Sequence, residues 1–157
     1  MTIIERALEL VKDDSQIGLG SGHTAHAFVR TLGQRVRSGR LRVQGVPTSK
    51  ETARLARKEG IPLVTLAEAE FLHVTVDGAD EVDPQLNLIK GLGRALLREK
   101  IVESHARKFI VIVDDSKLVE RLGTKGALPV EIVPFEARAH VRWLKSLGCR
   151  AEQWMEA

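Results

Sequence analysis

The sequence predicts an α/β fold built on a largely parallel sheet. Three observations carry this. Short β-branched runs alternate with helical patterns along the chain. Parallel strands need crossover connections of the kind such helices supply. Polar residues gather after successive strands, where an α/β sheet binds its ligands. At 157 residues and 43% hydrophobic content, the chain can bury one full core, so one domain with room for an appendage is expected.

In chain order, Gln16 to Leu19, Leu41 to Val46, Pro62 to Thr65, His73 to Val76, Phe109 to Val113 and Val130 to Val133 read as strands. Helical patterns run from Ile3 to Val11, Thr24 to Leu32, Lys50 to Glu59, Leu92 to Arg107, Lys117 to Leu122 and Glu136 to Leu147. The first strand is followed by Gly20-Ser21-Gly22-His23-Thr24 and the second by Pro47-Thr48-Ser49. The fourth is followed by Asp77-Gly78-Ala79-Asp80 and the fifth by Asp114-Asp115-Ser116-Lys117. Polar groups therefore collect at one rim, while Lys58-Glu59-Gly60 and Arg107-Lys108 read as solvated helix ends.

The 24 basic and 21 acidic residues are spread along the chain, which argues against a nucleic-acid partner. The single cysteine, Cys149, has no internal disulfide or metal-knuckle partner, as expected for a cytoplasmic protein. Glu5, Arg6, Lys12 and Asp13 interrupt any apolar leader, and no run is long enough to span a membrane. The histidines are scattered, and none pairs with a cysteine to suggest zinc. Gly20-Ser21-Gly22 is not a nucleophile elbow, so hydrolysis is discounted.

Three segments offer chemistry. Gly18-Leu19-Gly20-Ser21-Gly22-His23-Thr24 joins a strand to a helix, and reads either as an anion cradle or as a plain tight turn. Its spacing fits neither the dinucleotide fingerprint nor a Walker loop. Asp77-Gly78-Ala79-Asp80-Glu81-Val82-Asp83-Pro84 places four carboxylates behind an apolar strand. It reads as a solvated acidic turn or as a ligand site, without calcium-loop spacing.

The third segment is the helix around Glu99. At 100° per residue Glu99 lies on a line with Ala95, Val102 and Ala106. Its neighbours three and four positions away are Ala95, Leu96, Val102 and Glu103, so no helical salt bridge accounts for it. A carboxylate on an apolar stripe has a raised pKa, which suits a general base. A surface or structural role stays open on the residues alone.

Taken together, seven ordered blocks resemble the type A ribose-5-phosphate isomerase family. They are Gly18 to Ala25, Gly45 to Ser49, Val76 to Pro84, Asn87 to Gly91, Leu97 to Ile101, Ser116-Lys117 and Leu128 to Phe135. The resemblance implies a Rossmann-like, largely parallel sheet with helices on both faces, plus the remnant of a small C-terminal α/β lobe. It divides the chain into a core domain, 1–129, and the start of that lobe, 130–157, as a strand plus a helix.

The implied reaction is interconversion of D-ribose 5-phosphate and D-ribulose 5-phosphate through an enediolate, with no cofactor and no metal. By motif, the base falls on Glu99, with Asp77, Asp80 and Lys90 as catalytic partners. Substrate contacts fall on Ser21, Gly22, His23, Thr24, Asp77, Gly78, Ala79, Asp80, Lys90, Gly91, Leu92, Gly93 and Lys117. His23, Leu92 and Arg94 depart from the family's usual residues, and full-length members extend past Ala157. A catalytically weak or regulatory sugar-phosphate-binding module on the same fold, and an isomerase for another phosphosugar, are the alternatives. Val141, Trp143, Leu144, Leu147 and Trp154 would leave apolar surface uncovered, so a homo-oligomer is expected.

Overall fold

The structure, a computed structural model, describes residues 1–154; the last three residues of the expected C-terminal lobe lie outside them. Helix α1 (Ile3–Glu9) opens with a capping box, in which Glu5 N donates to Thr2 Oγ1 and Thr2 N donates to the Glu5 carboxylate. Then follow β1 (Ser15–Leu19), α2 (Gly22–Arg37), β2 (Val43–Pro47), α3 (Lys50–Lys58) and β3 (Val74–Asp77). After these come β4 (Glu81–Val82), β5 (Leu88–Ile89), α4 (Leu96–Ser104), β6 (Phe109–Val111) and α5 (Ala137–Ser146).

Strands β2, β1, β3 and β6 form one sheet in that order, every pair parallel. The expected α/β fold is therefore present. Strand alternation assigns the two faces. Ile17, Leu19, Val74 and Val76 point to one face, where they are buried with Leu8 of α1, Phe28 and Leu32 of α2, and Ala56 of α3. Val46 belongs to a second cluster with Leu72 and Val102 of α4. Thr75 and Asp77 alternate with Val74 and Val76, so they point away from the first cluster. No helix among the described residues is long and apolar enough to cross a membrane.

Several expected elements come out differently. Pro62 to Thr65 makes only an isolated bridge, Gly45 to Leu63, beside β2, because Pro62 has no N–H to extend a ladder. Val130 to Val133 is not paired as a strand. A β-branched run needs a neighbouring strand to satisfy its backbone, and here the Glu131 carboxylate instead accepts from Leu97 N. The helix expected from Leu92 starts at Leu96, since Gly91 (φ 100°) and Arg94 (φ 61°) have left-handed backbones.

Lys117 to Leu122 is not a helix. A 3-10 turn over Asp115–Lys117, capped by Asp114, gives way to an extended segment in which Val119 N donates to Val82 O. The β4–β5 hairpin is an element without a pattern of its own in the sequence. It folds the acidic segment back on itself, with the Asp83 carboxylate accepting from Gln85 N and Asn87 N to organise the turn.

Two glycines of β1 and its exit serve the sheet rather than a turn. A Cβ on Gly18 would overlap the Thr75 side chain, with Thr75 Cβ and Cγ2 only 2.8 Å away. A Cβ on Gly20 would overlap the Asp77 carboxylate and come within 2.6 Å of its Cα. The absent side chains are the space that Thr75 and Asp77 occupy. Gly18→Ala should therefore destabilise the fold by about 1–3 kcal/mol, the usual cost of overpacking; urea unfolding with an unchanged m-value is the measurement.

Candidate active site

Asp77 is the last residue of β3 and is 1% exposed. Its Oδ1 accepts from Ser21 N at 3.0 Å and from Gly78 N at 2.7 Å, which ties the glycine loop after β1 to the end of the neighbouring strand. Its Oδ2 faces Lys90 Nζ at 3.1 Å. Lys90 follows β5, so the short hairpin is what returns this side chain to the strand ends. Its ammonium also donates to Gly78 O, and stands 5.8 Å from the centre of the Phe109 ring.

From the other side, α4 contributes two carboxylates one turn apart. Glu99 Oε2 and Glu103 Oε1 each lie 3.3 Å from Lys90 Nζ. One carboxylate oxygen from each of Asp77, Glu99 and Glu103 lies within 4.8 Å of the others. That spacing suits a cation, and the cation at this point is the Lys90 ammonium.

The electrostatics follow from burial. Glu99 is 5% exposed; burial, reinforced by the Asp77 charge, pushes its pKa up to about 7 against the pull of Lys90. Burial raises Glu103 as well, with Lys90 opposing. For Lys90 burial works against the charge, but Asp77, Glu99 and Glu103 outweigh it, so its proton is held above the ordinary lysine range. The site thus combines a firmly charged ammonium with a carboxylate poised near neutrality.

A second network braces the glycine loop. Ser21 Oγ shares a hydrogen bond with Thr48 Oγ1 at 2.7 Å, and Thr52 Oγ1 donates to Gly20 O at 2.9 Å. His26 Nε2 lies 3.1 Å from Thr52 Oγ1. Burial lowers the His26 pKa, partly offset by Glu51, so this histidine is a neutral member of the network. Since the Ser21 hydroxyl is turned to Thr48, the first turn of α2 has no side-chain cap. Its N–H groups face the rim at which β1 and β3 end, as an anion cradle requires.

The four carboxylates of the acidic segment separate into four tasks. Asp77 belongs to the ion-pair cluster. Asp80 accepts from Leu92 N at 3.1 Å and so holds the loop after Lys90. Glu81 is turned inward, accepting from Gly123 N at 2.6 Å and Lys125 N at 2.8 Å. Asp83 organises the turn.

Of the residues expected at the site, Ser21, Asp77, Gly78, Lys90 and Glu99 are joined by direct contacts. Asp80 and Leu92 are joined to each other. Gly22, with φ 84°, and His23 are exposed at the start of α2, and Thr24 is half-buried beside them. Ala79 is half-buried between Gly78 and Asp80, while Gly91 is buried and Gly93 exposed. Lys117 is half-buried in the turn after β6, at the same rim, and its side chain makes no described bond to the cluster. Leu92 is 44% exposed, and the Arg94 guanidinium lies over the Trp154 ring at 4.9 Å.

Sequence reasoning placed Thr48 at the rim without giving it a role, and passed over Glu103, Thr52 and His26. For Glu103 a signal existed: it stands four residues after Glu99, on the same side of the helix. The hydroxyl network left none, because threonines in helices and loops have no spacing that marks them as buried.

Two cavities, about 480 and 420 Å3, lie elsewhere. One is lined by Lys12, Arg42, Phe71, His73 and Arg107 at the amino-terminal rim of the sheet. The other is lined by Val46, Leu63, Ile101 and Val102 between β2 and α4. Buried carboxylates around a buried ammonium are the stronger mark of chemistry, because they carry a desolvation cost that packing alone would not select.

A family profile described as ribose 5-phosphate isomerase A (phosphoriboisomerase A) matches residues 44–156. A ribose-5-phosphate isomerase A from Gloeobacter violaceus is 55% identical over 148 residues, 94% of this chain and 64% of the relative. One from Roseiflexus castenholzii is 54% identical over 145 residues, 92% of this chain and 62% of the relative. The chain thus spans a little under two thirds of the length of these curated relatives.

Among solved structures, a D-ribose-5-phosphate isomerase in complex with phospho-erythronic acid superposes with a TM-score of 0.94 at 42% identity. The match covers 98% of this chain and 68% of that one. Ribose 5-phosphate isomerase A from Methanocaldococcus jannaschii gives a TM-score of 0.88 at 47% identity, over 92% of this chain and 64% of that one. On a profile match over most of its length and identities near one half, the chain belongs to the ribose 5-phosphate isomerase A family.

Proposed function

We propose that this protein interconverts D-ribose 5-phosphate and D-ribulose 5-phosphate, with Glu99 as the general base. The observation that carries the reading is the Glu99 carboxylate, buried on α4, poised near pH 7 and 3.3 Å from the Lys90 ammonium. Family membership supplies the substrate: relatives bear the isomerase name, and one related structure was solved with a phosphosugar acid.

In the proposed chemistry the open-chain aldose lies at the strand ends with C2 toward Glu99. The carboxylate removes the C2 proton, and the electrons move onto the C1 carbonyl oxygen to give an enediolate. Proton transfer between O2 and O1, and return of the carbon-bound proton to C1, give the ketose. Lys90 faces the oxygen where negative charge grows, since preorganised charge in a shielded site stabilises such an intermediate. Asp77 holds the ammonium and, with Asp80, orients sugar hydroxyls.

The uncapped first turn of α2, from Ser21 through Gly22 and His23 to Thr24, receives sugar or phosphate oxygens, with Lys117 as a further cation. Gly78, Ala79, Gly91, Leu92 and Gly93 line the approach. Neither a cofactor nor a metal enters this scheme.

The wider reading is a cytoplasmic enzyme with a core over 1–129 and a separate C-terminal piece over 130–157. Helix α5 has no buried residue, and Leu128, Val130, Val133, Phe135, Trp143 and Leu147 are exposed. A surface of that kind favours a homo-oligomer. Sedimentation at micromolar concentration should show more than a monomer.

A coupled assay of ribose 5-phosphate isomerisation tests the activity; no turnover by the folded protein would refute it, and stabilisation by substrate without turnover would leave only a binding module. Glu99→Gln should lower kcat by roughly two to four orders of magnitude with substrate binding little changed, the range for losing a general base. Lys90→Ala should weaken binding as well, because its charge meets the ligand in ground and transition states alike. The base must be ionised, and its folded pKa is raised to about 7. Hence kcat/KM should rise with pH through an acid limb near 7 rather than near the ordinary carboxylate value of 4.5, a difference a pH-rate profile resolves.

A further inference from the structure

We infer that Glu103 is a positioning residue for proton transfer, sharing the Lys90 ammonium with Asp77 and Glu99 so that Lys90 does not pair with Glu99 alone. The inference deepens the isomerase reading and depends on it for the role of Glu99 as base. Three observations support it. Glu103 Oε1 and Glu99 Oε2 lie at the same distance, 3.3 Å, from Lys90 Nζ. The Glu103 side chain is 9% exposed, and among the described residues Oε1 has no hydrogen-bond partner besides that ion pair. It stands at i+4 from Glu99, where like charges on a helix repel.

A second carboxylate in that position burdens the fold, and the ammonium is already held by Asp77 and Gly78 O. Its effect on chemistry is direct. A lone Lys90–Glu99 pair would hold Glu99 ionised and make it a weak base. Dividing the ammonium among three carboxylates, and placing a like charge one turn away, gives Glu99 a higher proton affinity. Both effects of Glu103 have the same sign, and burial of Glu99 adds to them.

The titratable groups facing Glu103 among the described residues are Asp77 from β3, Lys90 from the segment after β5, and Glu99 on α4 itself; β6 presents the uncharged Phe109 ring near the ammonium.

The test is the titration of Glu99 in protein labelled with 13C at its glutamate side-chain carboxyls, read by NMR without ligand and assigned by comparison with Glu99→Gln. Glu103→Gln and Glu103→Ala should each move the Glu99 midpoint down by about one pH unit, a tenfold loss of proton affinity. The acid limb of kcat/KM should move with it, and kcat should fall several-fold as the base weakens. Glu103→Asp, which keeps the charge, should leave the midpoint close to the parental value.

An unchanged Glu99 midpoint in the folded Gln and Ala variants overturns the inference. So does failure of both variants to fold, which would make Glu103 a structural residue. If the parent protein does not turn over ribose 5-phosphate, the functional reading fails separately, and the NMR midpoint still decides whether Glu103 sets the basicity of Glu99.

Discussion

The Lys90 ammonium is the interaction on which the rest depends. Three carboxylates gathered at the end of a parallel sheet would repel one another and resist burial, and one buried cation reconciles them. Much of the local architecture follows from bringing that cation in. The β4–β5 hairpin exists in a segment too short for a regular sheet, and its return strand delivers Lys90 to the end of β3. The positive-φ residues Gly91 and Arg94 then stop the chain from continuing as helix until Leu96. That delay sets the register in which Glu99 and Glu103, rather than their exposed neighbours Arg98 and Lys100, face the ammonium.

Around this centre the polar groups fall into tiers of rigidity. Asp77 is fixed by two backbone donors and by Lys90, and the glycine loop is fixed through Asp77 and the Thr48–Thr52 hydroxyls. The start of α2 is left without a side-chain cap. A rigid frame around open donors suits a site that must keep its geometry while an anionic ligand enters and leaves. The hydroxyl network also explains the buried imidazole of His26, which the sequence shows only as a histidine one turn from His23.

The fold was legible because its signals are local: β-branched runs with helical patterns between them gave β1, β2, β3 and β6, and polar residues after each marked the functional rim. Glu99 was legible because a charge on an apolar stripe is a contradiction visible without coordinates. Elements failed where a local pattern met an absent or unusual partner. Val130 to Val133 has strand-forming residues and, among the described residues, no strand beside it. Lys117 to Leu122 has a helical pattern but is drawn out by its bridge to Val82. Lys90 as the centre of the cluster was not readable by spacing, since its partners lie at 77, 99 and 103; the family resemblance supplied it only as a catalytic partner. Glu103 entered only as a neighbour that could not neutralise Glu99, whereas in three dimensions it competes for the same ammonium.

The close approach of β1 and β3 has a consequence for how this chain can change over time. Any side chain at position 20 would occupy the volume of the Asp77 carboxylate, so Gly20 cannot drift while Asp77 remains. Asp77, in turn, cannot be lost without stranding the Ser21 and Gly78 N–H groups and removing one anion from Lys90. The two positions, 57 apart in sequence, therefore form a single heritable unit. A lineage that replaced the glycine first would pass through a disrupted site. One that replaced the aspartate first would not free the glycine, because a Cβ at position 20 would still lie 2.6 Å from the residue 77 Cα; this rim can be rebuilt for other chemistry only if the two strand ends move apart.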